Sequence, residues 1–192
     1  MMAFLRALLS CVFAAALISA SPAGQVYSVD SAQSALNAKV GFFGIGSKTA
    51  GFPQVSGSIR LDRTRPEAID LDVTINARAL TASDEVTLSR LKSEKFFWVQ
   101  KYPQVRFVGR EMKLDTPTTG NVKGELTARG VTQPVTLKVR FDKDPTALLP
   151  GEAVTLSGTT RINRRDFGMK SYSLIVGKMV DIELRARLVP QG

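Results

Sequence analysis

Residues 180–188 read VDIELRARL, and this unbroken alternation of apolar and charged positions constrains the fold more than any other feature of the chain. On an extended strand, Val180, Ile182, Leu184, Ala186 and Leu188 share one face, while Asp181, Glu183, Arg185 and Arg187 share the other. The same period recurs in Ile69–Asn76 and Val135–Asp142, and more weakly in Leu36–Phe42, Ser56–Asp62, Val105–Leu114, Val122–Ala128 and Val154–Ile162. With Gly, Pro and Asn/Asp turn signals between them, these segments predict about eight strands. Strands wet on one face and dry on the other are antiparallel, so the chain reads as all-β. Periodicity leaves two closures open, a barrel or a two-sheet sandwich.

The period breaks once. Between Ser83 and Lys95 the apolar residues Val86, Leu88 and Leu91 stop alternating, and Ser83 can cap a helix that carries Asp84 and Glu85 in its first turn. The stretch LKSEKFFWVQKYPQVRF (91–107) comes next, with Phe96, Phe97 and Trp98 side by side in a chain that is only 7% aromatic. Such a cluster plugs a core or lines an apolar cavity. Pro103 holds Tyr102 extended ahead of the next strand. Residues 144–152, with Pro145, Pro150 and Gly151, read as a surface loop.

With 192 residues the chain is long enough for one domain with a real core. Residues 1–23 stand apart from it. One cation, Arg6, precedes the run ALLSCVFAAALISA, and small residues come after it, the pattern of a cleavable secretory signal. The run is shorter than the roughly 20 residues of a spanning helix. Cleavage after Ala20 or after Ala23 fits. Leu8-Leu9-Ser10-Cys11 loosely matches a lipoprotein cleavage box, but most of the apolar run lies after Cys11 instead of before it. Cys11 is the only cysteine and leaves with the signal, so core packing must stabilise an exported chain without disulfides. Losing Arg6 takes the formal charge from +9 to +8. That balance suits transient contact with anionic membrane surfaces. The basic residues are scattered through strands, and export fits poorly with nucleic-acid binding. Histidine is absent altogether, which removes the usual general base and the usual zinc and haem ligand.

Three motif-like features carry little. Asp166-Phe167-Gly168 matches a kinase tripeptide without kinase surroundings. GFFGIGSKTAG (41–51) is glycine-rich, but the next residues, FPQVSGSIRLD, read as strand and not as helix, so the glycines are expected to relieve crowding at a barrel bend or bulge. Asp70 and Asp72 share the polar face of one strand, about 7 Å apart, as solvated surface carboxylates.

Several segments together resemble the YceI-like family: LKSEKFFWVQKYPQVRF (91–107), GELTARGVTQPVTLKVRF (124–141), TRINRRDFGM (160–169), the opening YSVDSAQS (27–34) and the final MVDIELRARL. The resemblance spans essentially the whole of residues 24–192, in order. It implies a lipocalin-like antiparallel β-barrel with one short helix near the mouth, export to the bacterial periplasm and, in some members, a polyisoprenoid chain or other long-chain amphiphile held inside. The chain departs from the family pattern at Gln33 and near Phe42, where a histidine is common. It departs again at Thr87-Leu88-Ser89-Arg90, where an Arg-Asp-x-His run is common.

On a barrel reading, the inward positions Leu36, Val40, Phe42, Ile59, Leu71, Val73, Ile75, Phe107, Leu137, Val139, Ile162, Val180 and Ile182 are expected to line an apolar cavity. Leu91, Phe96, Phe97 and Trp98 are expected to close one end, with Arg90, Lys92 and Lys95 meeting a ligand's head group. The expected function is binding and carriage of a polyisoprenoid lipid or isoprenoid quinone, with no catalytic residues, metal or resident cofactor, by a monomer or dimer. The alternative is a filled β-domain acting through its charged surface, as an envelope adaptor or partner of a membrane redox protein.

Overall fold

The computed structural model describes residues 24–62 and 64–191. The segment 1–23, with its expected signal and Cys11, lies outside the described residues. Ten strands form: β1 (Gln25–Phe42), β2 (Gly46–Phe52), β3 (Val55–Leu61), β4 (Ala68–Asn76), β5 (Thr81–Ala82), β6 (Gln104–Thr116), β7 (Thr119–Ala128), β8 (Val131–Phe141), β9 (Val154–Asn163) and β10 (Val176–Pro190). Every pairing is antiparallel. Eight strands run in the order β1-β3-β4-β6-β7-β8-β9-β10, and β10 pairs with β1 to close the tube. The expected all-β barrel therefore forms, and its closure excludes the sandwich.

β1 is long enough to serve two neighbours on one side. Its first residues pair with β3, from Gln25↔Leu61 to Ser28↔Ser58, and its last with β2, from Leu36↔Phe52 to Phe42↔Gly46. Between them Ser31–Ser34 bulge out of the β10 ladder, and the chain opposite breaks at Pro53, which has no N–H to give. The Ser31 hydroxyl donates to the Val55 carbonyl across this gap. β2 extends the barrel wall past this break, and β5 adds two pairs to its edge, Ala50↔Ala82 and Gly51↔Thr81.

The periodicity does not foretell β2 or β5. The glycine-rich stretch expected to ease a bend instead makes the β1–β2 hairpin, turning at Phe43–Ile45 with Gly44 at φ +72. The helix α1 spans Glu85–Lys92, shorter than the expected segment, and Asp84 caps it in place of Ser83. With Asp84 extended, its carboxylate accepts from the Thr87 N–H at 2.8 Å, while the Ser83 hydroxyl donates to that same carboxylate at 3.1 Å. The loop between β8 and β9 also departs from expectation. It is not all surface, since Leu148 lies in the core at 2% exposure.

The outer face matches the alternation. Asp72 pairs with Arg106, Asp70 with Arg110, Glu111 with Lys123 and Asp181 with Arg161. All are solvent-exposed, so each contributes little to stability. The hydrogen-bonded Arg106 guanidinium holds the Asp72 carboxyl below its ordinary value.

Gly57 is fixed by close approach. At φ +150, a Cβ would sit 2.2 Å from the Asp72 carbonyl oxygen across the β3–β4 ladder. Gly57→Val is expected to cost about 2–4 kcal/mol from backbone strain and overpacking. Denaturant unfolding measures it, and a loss under about 1 kcal/mol would refute the register there.

Candidate functional site

The inward faces of the eight barrel strands are apolar, but they are not packed alike along the axis. At the end where β10 finishes, Met112, Val154 and Leu188 are each 1% exposed, Val122 is 3% exposed, and Leu148 tucks in among the core. This is the closed end. Toward the opposite end, the mouth, Leu36, Ala38 and Val40 of β1 face Leu184, Ile182 and Val180 of β10, and Val180 faces Ile162 of β9. All seven are only half-buried, although each points into the barrel. Inward aliphatic groups that protein atoms leave partly uncovered border free space.

That space is a cavity of about 190 Å³. An apolar cavity of roughly 150 Å³ holds a benzene ring. Here the half-buried lining residues stand in the mouth half, on β1, β9 and β10, while the bordering residues at the closed end are packed, so the free space is a narrow apolar slot opening toward the mouth.

Of the expected lining, Leu36, Val40, Ile59, Leu71, Val73, Ile75, Phe107, Leu137, Val139, Ile162, Val180 and Ile182 border the cavity, as do Leu91, Phe96 and Phe97 above it. Phe42 and Trp98 do not. The β1–β2 ladder runs unbroken from Leu36↔Phe52 to Phe42↔Gly46, so Phe42 keeps the face of Val40 but lies at the rim, at the last pair before the turn and beyond the cavity. Its ring meets Phe43 edge-on at 4.5 Å, with Lys48 Nζ over it. Trp98 adopts φ +49, which turns the chain within the aromatic cluster. Its ring packs against Tyr102, under Lys101 and Arg129. Phe96 instead lies inward at 7% exposure, and Phe97 meets Phe52 at 5.6 Å.

The mouth is held by contacts that sequence periodicity does not reveal. Arg129, on the β7–β8 turn, donates to the carbonyls of Glu94 and Gly168 and so ties three loops together. Tyr172 stacks on Phe96 with ring centroids 5.9 Å apart. Arg90 and Lys95, expected to meet a head group, both stand over the Tyr172 ring, at 5.4 and 5.5 Å. Neither they nor Lys92 borders the cavity.

The charged side chains that do border it are Lys48 and Arg164. The pairings Lys48↔Val40, Val40↔Val180 and Val180↔Ile162 run round the wall in one row, so Lys48 points inward at the mouth, two residues along the chain from the level of Arg164. Lys48 Nζ is 2.8 Å from the Asp84 carboxylate. Arg164 is 3% exposed, and its partners are backbone carbonyls: Gly177 at 2.8 Å, Val176 at 3.0 Å, and Met169. No carboxylate faces it among the described residues. Burial, with Arg165 close by, holds its guanidinium below the ordinary arginine value, and an arginine still keeps its proton. A buried cation without a counter-charge is costly. Only Asn163 and the turn after it, not any alternation, mark this residue in the sequence.

Among the described residues no cluster of three acidic, His or Cys side chains could hold a metal, and no helix is long and apolar enough to cross a membrane. A closed antiparallel barrel with an apolar interior and a helix at its mouth is a lipocalin-like architecture. The YceI-like domain model matches residues 27–188, and the chain belongs to that family. A UPF0312 protein of Pseudomonas putida strain GB-1 is 32% identical over 143 residues, 73% of this chain and 72% of that protein. Among solved structures, Burkholderia cenocepacia BcnA is similar with a TM-score of 0.73 at 22% identity, covering 83% of this chain and 98% of that one. A polyisoprenoid binding domain from Saccharophagus degradans, implicated in plant cell wall breakdown, has a TM-score of 0.64 at 14% identity and covers 87% and 99%. At these identities the two structures show a shared fold.

The Asp84 carboxyl at the mouth is held well below the ordinary carboxylate range, first by the Lys48 ammonium and then by the Thr87 N–H and hydroxyl. A depressed carboxyl contributes its anchoring above the ordinary range and loses it only as pH falls through the depressed value. The α1 cap should therefore persist at pH about 4, where a free Asp is half protonated. Lys48→Met should raise the Asp84 midpoint. NMR titration of the carboxyl checks both, and a wild-type midpoint near 3.9 would refute the pairing.

Proposed function

We propose that this protein binds and carries a long-chain amphiphile, a polyisoprenoid lipid or isoprenoid quinone, and performs no covalent chemistry on it. The observation that carries this reading is the set of inward-facing aliphatic side chains at the mouth half of the barrel that no protein atom fully covers. Each CH₂-sized group leaving water for that slot gains about 0.8 kcal/mol, so even a partly inserted tail offsets its ordering cost. The polyisoprenoid binding domain of similar fold supports the choice of ligand class. Free space in the barrel counts against the filled adaptor domain. Export through residues 1–23 puts this carrier in the periplasm.

The head group is assigned to the mouth, beside Arg164 and Lys48 in place of Arg90, Lys92 and Lys95. A buried guanidinium already bonded to three carbonyls favours an oxygen-rich, electron-rich head such as a carbonyl or phosphate.

Native mass spectrometry of the protein and of its organic extract tests occupancy. A copurifying isoprenoid is expected. An empty extract, with no uptake of added polyprenol, would sink the reading. Ala38→Phe should fill the slot and abolish uptake while stability stays within about 1 kcal/mol. In a packed barrel the same change would cost about 1–3 kcal/mol. Arg164→Gln should weaken binding of a prenyl phosphate by about 10–100-fold more than binding of the matching prenol. Equal losses would make Arg164 a purely structural latch.

A further inference from the structure

Three large apolar side chains stand in solvent at the mouth: Phe43 at 59% exposure, Ile45 at 98% and Leu174 at 99%. Isolated exposed leucines are commonplace, but these form one feature. Phe43 and Ile45 occupy the β1–β2 turn, and Leu174 the turn that leads into β10. The Phe43 N–H donates to the Ile175 carbonyl at 2.8 Å, so the two turns are bonded side by side.

The charge nearest the two turns is positive, and the first acidic residue along β10 is Asp181, opposite Lys39 and paired with Arg161. Segments 39–48 and 168–180 contain Lys39, Lys48, Lys170 and Lys178 and not a single Asp or Glu. Lys48 is engaged by Asp84, while Lys39, Lys170 and Lys178 make no ion pair among the described residues. The loop at the closed end is the opposite, with Asp142, Asp144 and Glu152 against a single Lys143, although it too exposes an aliphatic residue, Leu149.

We propose that the mouth tip is a docking surface for an anionic phospholipid bilayer. Phe43, Ile45 and Leu174 enter the head-group and acyl boundary, and the flanking lysines sit among lipid phosphates. A second copy of this chain is a poorer occupant, because an isologous contact would bring the same lysines face to face. A groove in a partner protein would have to accept two projecting turns ringed by cations, whereas a fluid anionic surface accepts them without a matched shape. Val40, Val176 and Lys48 border the cavity at this same end, so a docked protein presents its slot to the membrane. The docking surface stands on the two turns alone and survives an empty barrel.

Flotation with vesicles of phosphatidylcholine alone, or mixed with phosphatidylglycerol, tests it. The protein should float with the mixed vesicles, weakly or not at all with the neutral ones, and less as salt rises. The variant Phe43→Ser/Ile45→Ser/Leu174→Ser should lose at least about tenfold in binding, since three apolar anchors are removed. Ala38→Phe, which blocks the slot and leaves the tip intact, should float like wild type, and this separates docking from ligand uptake. Undiminished flotation of the triple variant would overturn the proposal. So would failure of the wild type to float, or a solution dimer that the triple variant abolishes.

Discussion

The ladder between β1 and β10 turns a ten-stranded sheet into a closed tube, and every other feature of the molecule depends on it. It runs nearly the whole length of both strands, from Tyr27↔Pro190 to Phe42↔Val176. An open sheet of these sequences would leave one face of aliphatic residues in water and two bare edges. Closure removes both problems among the barrel strands and creates an interior. The bulge at Ser31–Ser34 and the break at Pro53 then let the wall change partner from β3 to β2, which lengthens the tube on the mouth side.

That lengthening explains why the interior is packed at one end and open at the other. Eight strands enclose a space that side chains can just fill. At the closed end they do, with Leu148 folded in from the β8–β9 loop. At the mouth the wall continues past the last well-packed layer. There Ala38 and the aliphatic residues of the adjoining strands β1, β9 and β10 stay half-buried. The opening is covered by the α1 region, the Phe96–Phe97 pair and Tyr172, fastened by Arg129 and by the Lys48–Asp84 contact. Arg164 sits under this cover as a desolvated cation bonded to three carbonyls, with two N–H groups beyond those three donations. Its position makes the chemistry of the mouth different from that of the slot beneath.

Some of this was legible in the residues. Period-two alternation gave the strands, their antiparallel sense and their inward faces, because side chains on a strand alternate whatever the strand pairs with. Most of the expected lining, such as Val40, Ile182 and Leu137, comes from that rule alone. Phe42 and Trp98 escaped it for local reasons, a place at the very rim in one case and a left-handed backbone in the other. The hairpin of β2 was hidden because GSKTAGF has too few apolar residues to show a period. Lys48 and Arg164 carry no pattern, since a cation holds an inward place only through partners supplied by distant strands and turns.

The sequence by itself determined a family, a strand-rich chain with one helical interruption, and two faces of opposite polarity. These properties are written in local spacing. Only the tertiary structure decided that the sheet closes, that its interior is unevenly filled, and that two separate turns bring Phe43, Ile45 and Leu174 together beside the opening. Each of these depends on how far apart in space residues with distant sequence numbers come to rest. Closure and register set those distances, and no local pattern encodes them.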